Sequence, residues 1–190
     1  NVSDEDSITI TGVPFTSSTQ SYSFWMKGTG EQDGHVTLFN VSGGYTVDFN
    51  YNEFIMYGTP KSNDAALRYT VSGYASPYTF ENNLGTDWNH ICIVVEYSSN
   101  THQTIYVNGV SVKTEALTIP NVDLTTSTQN VNISSVLRSG NRMNILFGAF
   151  GIYNTALTQA EVTELYNAHQ PVYRPQETVV AAPGPQFSAP

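Results

Sequence analysis

The densest group of side chains with chemical potential is the stretch VDFNYNE at residues 47–53. Read as a strand, it sets Asp48, Asn50 and Asn52 on one face and Glu53 on the other. Glycoside hydrolysis needs two carboxyl groups about 5 to 9.5 Å apart across the scissile bond. Amides cannot exchange a proton near neutral pH, so this face reads as a polar strand surface rather than an acid–base pair. The stretch also opens as D-x-N-x-N, the start of a calcium loop, but such a loop wants Gly at its sixth position and Glu at its twelfth. Glu53 and Thr59 stand there instead. No GxSxG, HExxH, P-loop or CxxC occurs, and the chain is read as having no catalytic residues.

The remaining reactive types are dispersed. His35, His90, His102 and His169 lack the short spacing of zinc ligands and read as structural or surface histidines. Cys92, the single cysteine, lies inside an apolar run and reads as a buried, inert thiol. Tyrosine is the abundant aromatic, with twelve, and YTVSGYASPYTFENN at residues 69–83 gathers several beside Ser, Thr and Asn. Planar rings next to amides and hydroxyls suit stacking on a sugar, and suit protein contacts equally well. Tyr74, Tyr78, Asn82 and Asn83 are therefore the candidate ligand-binding residues, for a glycan or a protein.

Composition narrows the partners. The formal charge is −9 with only seven Lys and Arg among 190 residues, which argues against nucleic acid, whose affinity comes from clustered basic groups. Ser, Thr and Asn make up roughly 30% of the chain while charged residues are scarce, a composition suited to an extracellular or virion surface. No apolar run approaches the 18 or so residues of a membrane span, so no membrane insertion is expected. A chain starting at Asn1 without a signal peptide reads as a mature form or an excised piece.

The elements that must position these residues are strands. WNHICIVVEYSSNTHQTIYVNGVSV, residues 88–112, reads as a hairpin, because the six polar residues 98–103 are too few for a parallel crossover. Asn108-Gly109 supplies the two positive-φ positions of a type I′ turn, folding 110–112 back along the second strand. Strands are further expected over 7–11, 21–27, 35–40, 45–50, 53–57, 66–72, 78–80, 116–119, 131–135 and 143–153. In SYSFWMK, Tyr22, Phe24 and Met26 share one face while Ser23, Trp25 and Lys27 share the other. Trp25 and Trp88 are expected to anchor the core between the layers. Many short strands with frequent turns predict an all-β fold, a two-sheet antiparallel β-sandwich. One short C-terminal helix is expected, with Thr158 and Glu161 spaced as a capping box and Leu157 and Val162 as a hydrophobic staple. Val162, Leu165 and Tyr166 should face the sandwich until Pro171 ends the helix.

SYSFWMKG, WNHICIVV, IYVNGVSV and FGAFGIYNTALTQAEVTELYN, in this order, resemble the landmarks of laminin-G-like and pentraxin-type domains of the concanavalin A-like lectin/glucanase superfamily. The resemblance covers roughly residues 7–168 and implies a jelly-roll sandwich, leaving 1–6 as a lead and 169–190 as a separate Pro-rich tail. That group includes glycan binders, adhesion modules, enzyme accessory domains and virion proteins. It also implies calcium as a cofactor to consider at the sandwich rim, for which Asp33, Asp64, Asn82, Asn83 and Asp87 are available. The expected function is a non-catalytic recognition module for carbohydrate or protein; the second expectation is a structural subunit of a capsid, spike or filament. In the second, residues 171–190, too Pro-rich for helix or central strand, would strap onto a neighbouring subunit.

Overall fold

A computed structural model describes residues 7–17, 19–28, 35–42, 46–50, 53–57, 67–70, 87–96, 102–116, 124–126, 128–134 and 145–168. Among the described residues eleven strands follow one another: β1 (Ser7–Val13), β2 (Gln20–Gly28), β3 (His35–Val41), β4 (Thr46–Asn50), β5 (Glu53–Tyr57), β6 (Leu67–Thr70), β7 (Asn89–Glu96), β8 (His102–Val107), β9 (Val110–Ala116), β10 (Gln129–Ser134) and β11 (Ile145–Tyr153). One helix, α1 (Gln159–Ala168), closes the described chain. The strands form a six-stranded sheet in the order β1-β10-β3-β4-β5-β6 and a five-stranded sheet in the order β11-β2-β7-β8-β9. Every pairing is antiparallel. The expected strand at 78–80 lies outside the described residues. Of the one expected at 116–119, only Ala116 is described, and it ends β9, which pairs with β8; 117–119 lie outside the described residues.

Alternation sorts the side chains into layers. Tyr22, Phe24 and Met26 of β2 and Ile91, Ile93 and Val95 of β7 meet Leu38, Phe39, Val41 and Val47 of the opposite sheet in the main core. Its aromatic centre is Phe24, Phe39 and Phe150, with ring centroids 5.3 to 6.0 Å apart. Phe147 and Phe150 both pack toward this core although they are three residues apart, an odd spacing that places regular strand residues on opposite faces. A β-bulge resolves the conflict: Gly148 and Gly151 of β11 pair with Trp25 and Ser23 of β2, so three steps on one strand match two on the other. Ala149, inside the bulge, takes φ +47°.

The indoles do not sit between the sheets, contrary to the sequence-based expectation. Trp25 is only 2% exposed, yet it lies on the outer face of the five-stranded sheet. Trp88 is half-buried before β7, with its ring 3.6 Å from where a Cβ of Gly148 would stand. Gly148 pairs with Trp25, so both indoles belong to the outer layer. The physical reason is strand parity: with Tyr22, Phe24 and Met26 facing inward, Trp25 has to face outward.

What covers that outer face is α1 and the chain leading into it. β7 is buried at every residue from Asn89 to Val95, so its outward side chains need a roof as much as its inward ones. Cys92 and Val94 pack with Tyr106, Leu157 and Val162 in a second core under the helix. Burial pushes the Cys92 thiol up to about 12, leaving it protonated and unreactive. Ser21 ties the roof down: its hydroxyl donates to the Thr155 carbonyl at 2.7 Å and accepts the Leu157 N–H at 3.0 Å.

The helix starts as the sequence predicts. The Glu161 carboxylate accepts the Thr158 N–H at 2.7 Å and the Thr158 hydroxyl at 2.8 Å, and Thr158 Oγ1 accepts the Glu161 N–H at 3.3 Å. Those two hydrogen bonds from Thr158, the backbone one larger, hold the Glu161 carboxyl below its ordinary value. At its outer end the helix docks on the Asn108-Gly109 turn, whose φ values of +52° and +77° are those of a type I′ turn. The Gly109 carbonyl accepts from the Gln159 side-chain amide and, at 3.2 Å, from the Thr163 hydroxyl. Asn108 is gripped in turn by β7: its N–H donates to the His90 carbonyl at 2.8 Å, and its Oδ1 accepts the His90 N–H at 2.9 Å.

Three outcomes test this roof. A Cβ at Gly109 would stand 3.2 Å from Tyr166 Cδ1 on a positive-φ backbone, so Gly109→Ala should cost about 2 kcal/mol in urea unfolding. Thr158→Ala should cost about 1 kcal/mol by loss of the N-cap. Because the folded Glu161 carboxyl titrates below its unfolded value, its contribution is present above the unfolded value and lost as pH falls through the folded one. The stability gap between wild type and Glu161→Gln should therefore close on acidification; a gap unchanged down to full protonation contradicts the capping geometry.

Candidate binding site beneath the helix

The outer face of β2 and β7 is not sealed completely. Between it and α1 lies a cavity of about 260 Å³. Ser23 and Trp25 of β2 and His90 of β7 form its floor, and Leu165 of α1 closes it from above. Its side is the β11 bulge, Ala149 to Gly151, followed by Tyr153. The bulge does two things at once: it returns Phe150 to the core and sets irregular backbone against the cavity. A non-glycine residue at φ +47° carries strain on the order of 1 kcal/mol at this rim.

Ser23 Oγ and His90 Nε2 are hydrogen-bonded at 2.8 Å, and both residues are buried, so hydroxyl and imidazole are committed to each other. The Trp25 ring stacks between neighbours: its centroid lies 5.7 Å from that of Tyr166 at an interplanar angle of 19°, and 5.2 Å from that of His90. Its indole N–H is buried with no hydrogen-bond partner among the described residues. On the other side of Tyr153 and Leu165, a wider groove of about 430 Å³ runs past Thr155, Leu157, Glu161, Glu164 and Ala168.

Of the ligand and calcium candidates drawn from sequence, Asp87 alone is among the described residues. Tyr74, Tyr78, Asn82, Asn83, Asp33 and Asp64 lie outside the described residues. Asp87 is exposed just before β7, and its carbonyl accepts from the Asn89 amide at 3.1 Å. Among the described residues no group of three or more His, Cys, Asp and Glu is placed to hold a metal ion. Asp48 is buried in β4 and accepts the Thr37 hydroxyl at 2.8 Å, a strand-to-strand contact rather than an open acid. The cavity was missed because its floor depends on which strand lies beside β2. The alternation in SYSFWMK does place Ser23 and Trp25 together, but the register that sets Trp25 opposite His90 is not written locally.

No helix among the described residues is long and apolar enough to cross a membrane. No curated protein sequence matches the chain. Among solved structures it is similar to the binding domain of botulinum neurotoxin DC in complex with rat synaptotagmin II, with a TM-score of 0.65 at 15% identity. That match covers 87% of this chain and 41% of the other. The receptor binding domain of botulinum neurotoxin D gives 0.64 at 16% identity, over 87% and 42% of the two chains. The serotype G binding domain gives 0.60 at 17%, over 88% and 41%. The chain thus spans about two fifths of these structures, and at such identities the likeness is one of fold. The family profile of laminin-G domains in the concanavalin A-like lectin/glucanases superfamily matches residues 2–163. With two antiparallel sheets, an outer helix and that match over most of its length, the chain belongs to the laminin-G-like domains of the concanavalin A-like superfamily.

Proposed function

We propose that this chain is a non-catalytic recognition module, displayed outside the cell or on a virus particle, that binds a carbohydrate or protein ligand. The observation that supports it most is the fold: a laminin-G-like sandwich similar to toxin domains that are themselves binding domains. Binding, unlike hydrolysis, asks only for a rigid scaffold and loops at its edge. The loop stretch with Tyr74, Tyr78, Asn82 and Asn83 remains the proposed contact surface, with rings for stacking and amides for hydrogen bonds. Calcium from Asp33, Asp64, Asp87 and the two asparagines is proposed as an aid to that surface. The net charge of −9 favours neutral or basic partners over nucleic acid.

The second reading, a structural subunit, is favoured by one feature of the fold. β1 is an edge strand, and Ile8 and Ile10 on it are 63% and 38% exposed, apolar surface of the kind a neighbour covers. In that reading residues 171–190 strap onto the adjoining subunit, and deleting them abolishes assembly by size exclusion while leaving ligand binding intact.

A glycan and protein array probed with and without EDTA separates the two. Recognition predicts a saturable hit that Tyr74→Ala or Tyr78→Ala weakens about tenfold, the loss of one stacking contact. A hit indifferent to both substitutions removes these loops from the site. Loss of the hit in EDTA assigns calcium a role; retention excludes it.

A further inference from the structure

We propose that the cavity beneath α1 is a second binding site, built from other residues than the rim-loop candidates, for a small neutral ring carrying one hydrogen-bond-accepting oxygen, such as a cyclic ketone or lactone. Three observations converge on it. The first is the Trp25 indole N–H, buried at 2% exposure with no partner among the described residues. A buried donor left unmade costs roughly 1–3 kcal/mol, so a site that retains one is primed for an acceptor from outside the fold.

The second is the balance of the lining. Ser23 Oγ and His90 Nε2 hydrogen-bond one another at 2.8 Å and are not offered to a ligand, whereas the Trp25 indole N–H is. Tyr153 adds a ring with one hydroxyl and Leu165 an aliphatic side chain, while Phe150, its ring turned into the core, borders the cavity with its backbone. Among the described residues no carboxylate, Lys or Arg lines the cavity, so a charged ligand would be desolvated there without a counter-charge. A free sugar fares little better, since most of its hydroxyls would lose water without a partner. A compact ring with a single carbonyl loses least and meets the N–H.

The third is space and access. A volume of about 260 Å³ lies just under the range of drug-sized pockets and suits one ring. Its rim is the bulge, where Ala149 is exposed at φ +47°, and the half-buried Tyr153 ring takes the space beside Gly151. A Cβ at Gly151 would stand 3.2 Å from the Tyr153 ring, which lies over this edge.

Two tryptophans make the test direct, because each contributes one indole signal to a nitrogen–proton correlation spectrum. Trp88→Phe assigns the Trp25 signal in the full 190-residue chain. Titration with cyclohexanone should shift that signal saturably with a millimolar Kd, while glucose and cyclohexanecarboxylate should not. Trp25→Phe keeps the stacked ring and removes the N–H; followed through the backbone amide of Gly151, it should weaken cyclohexanone binding about tenfold. Absence of a saturable shift overturns the site and leaves the N–H to buried water. Equal response to all three compounds, or binding unchanged in Trp25→Phe, overturns the chemistry assigned to it. Loss of array binding in the rim-loop variants with the Trp25 response intact would separate failure here from failure of the recognition reading.

Discussion

A strand that is apolar on both sides has to be covered on both sides, and β7 is that strand. Ile91, Ile93 and Val95 are satisfied by the opposite sheet, as in any two-layer sandwich. His90, Cys92 and Val94 point the other way, and water would meet them if α1 and the 154–158 corner were absent. Among the described residues the domain therefore has three layers along this strip and two elsewhere. An alternating antiparallel strand would have needed no helix; a continuous apolar run obliges one.

The devices that hold the third layer are local and polar at its edges. Ser21 fastens the chain entering the helix, the Thr158–Glu161 box fixes its first turn, and the Gly109 carbonyl receives Gln159 and Thr163. The Asn108-Gly109 turn serves the hairpin and the helix together, since its positive φ values turn the chain and its bare Gly109 lets Tyr166 approach. Between these anchors the fit is imperfect. The bulge that returns Phe150 to the core leaves irregular backbone beside Ser23 and Trp25, and the cavity is the space between that backbone, the sheet and Leu165.

Much of this was legible in the residues. The parity of SYSFWMK, the unbroken run ICIVV, the Asn-Gly turn and the T-x-x-E cap each carry their meaning within a few positions, and each appears as read. The indoles were misplaced because a large aromatic suggests the main core, whereas parity, the stronger constraint, sends Trp25 outward. The bulge could have been inferred from FGAFG: two phenylalanines at odd spacing cannot share a face without an extra residue. The Ser23–His90 contact could not, because it joins residues 67 apart whose adjacency depends on strand order. The rim-loop candidates rest on composition alone, and their geometry falls outside the described residues.

The fold divides into a platform of β2 and β7 and the outer layer of α1 over it, with the cavity beside the β11 bulge between them. That division depends on α1 being an integral layer and not a detachable flap. Native-state hydrogen exchange tests it most directly. If the helix is integral, the amides of Val162 and Leu165 exchange with the same opening free energy as those of Ile91 and Ile93, and respond equally to urea. Exchange of the helix amides through a separate, smaller opening, with β7 still protected, would contradict the claim that the outer layer and the sandwich form one cooperative unit.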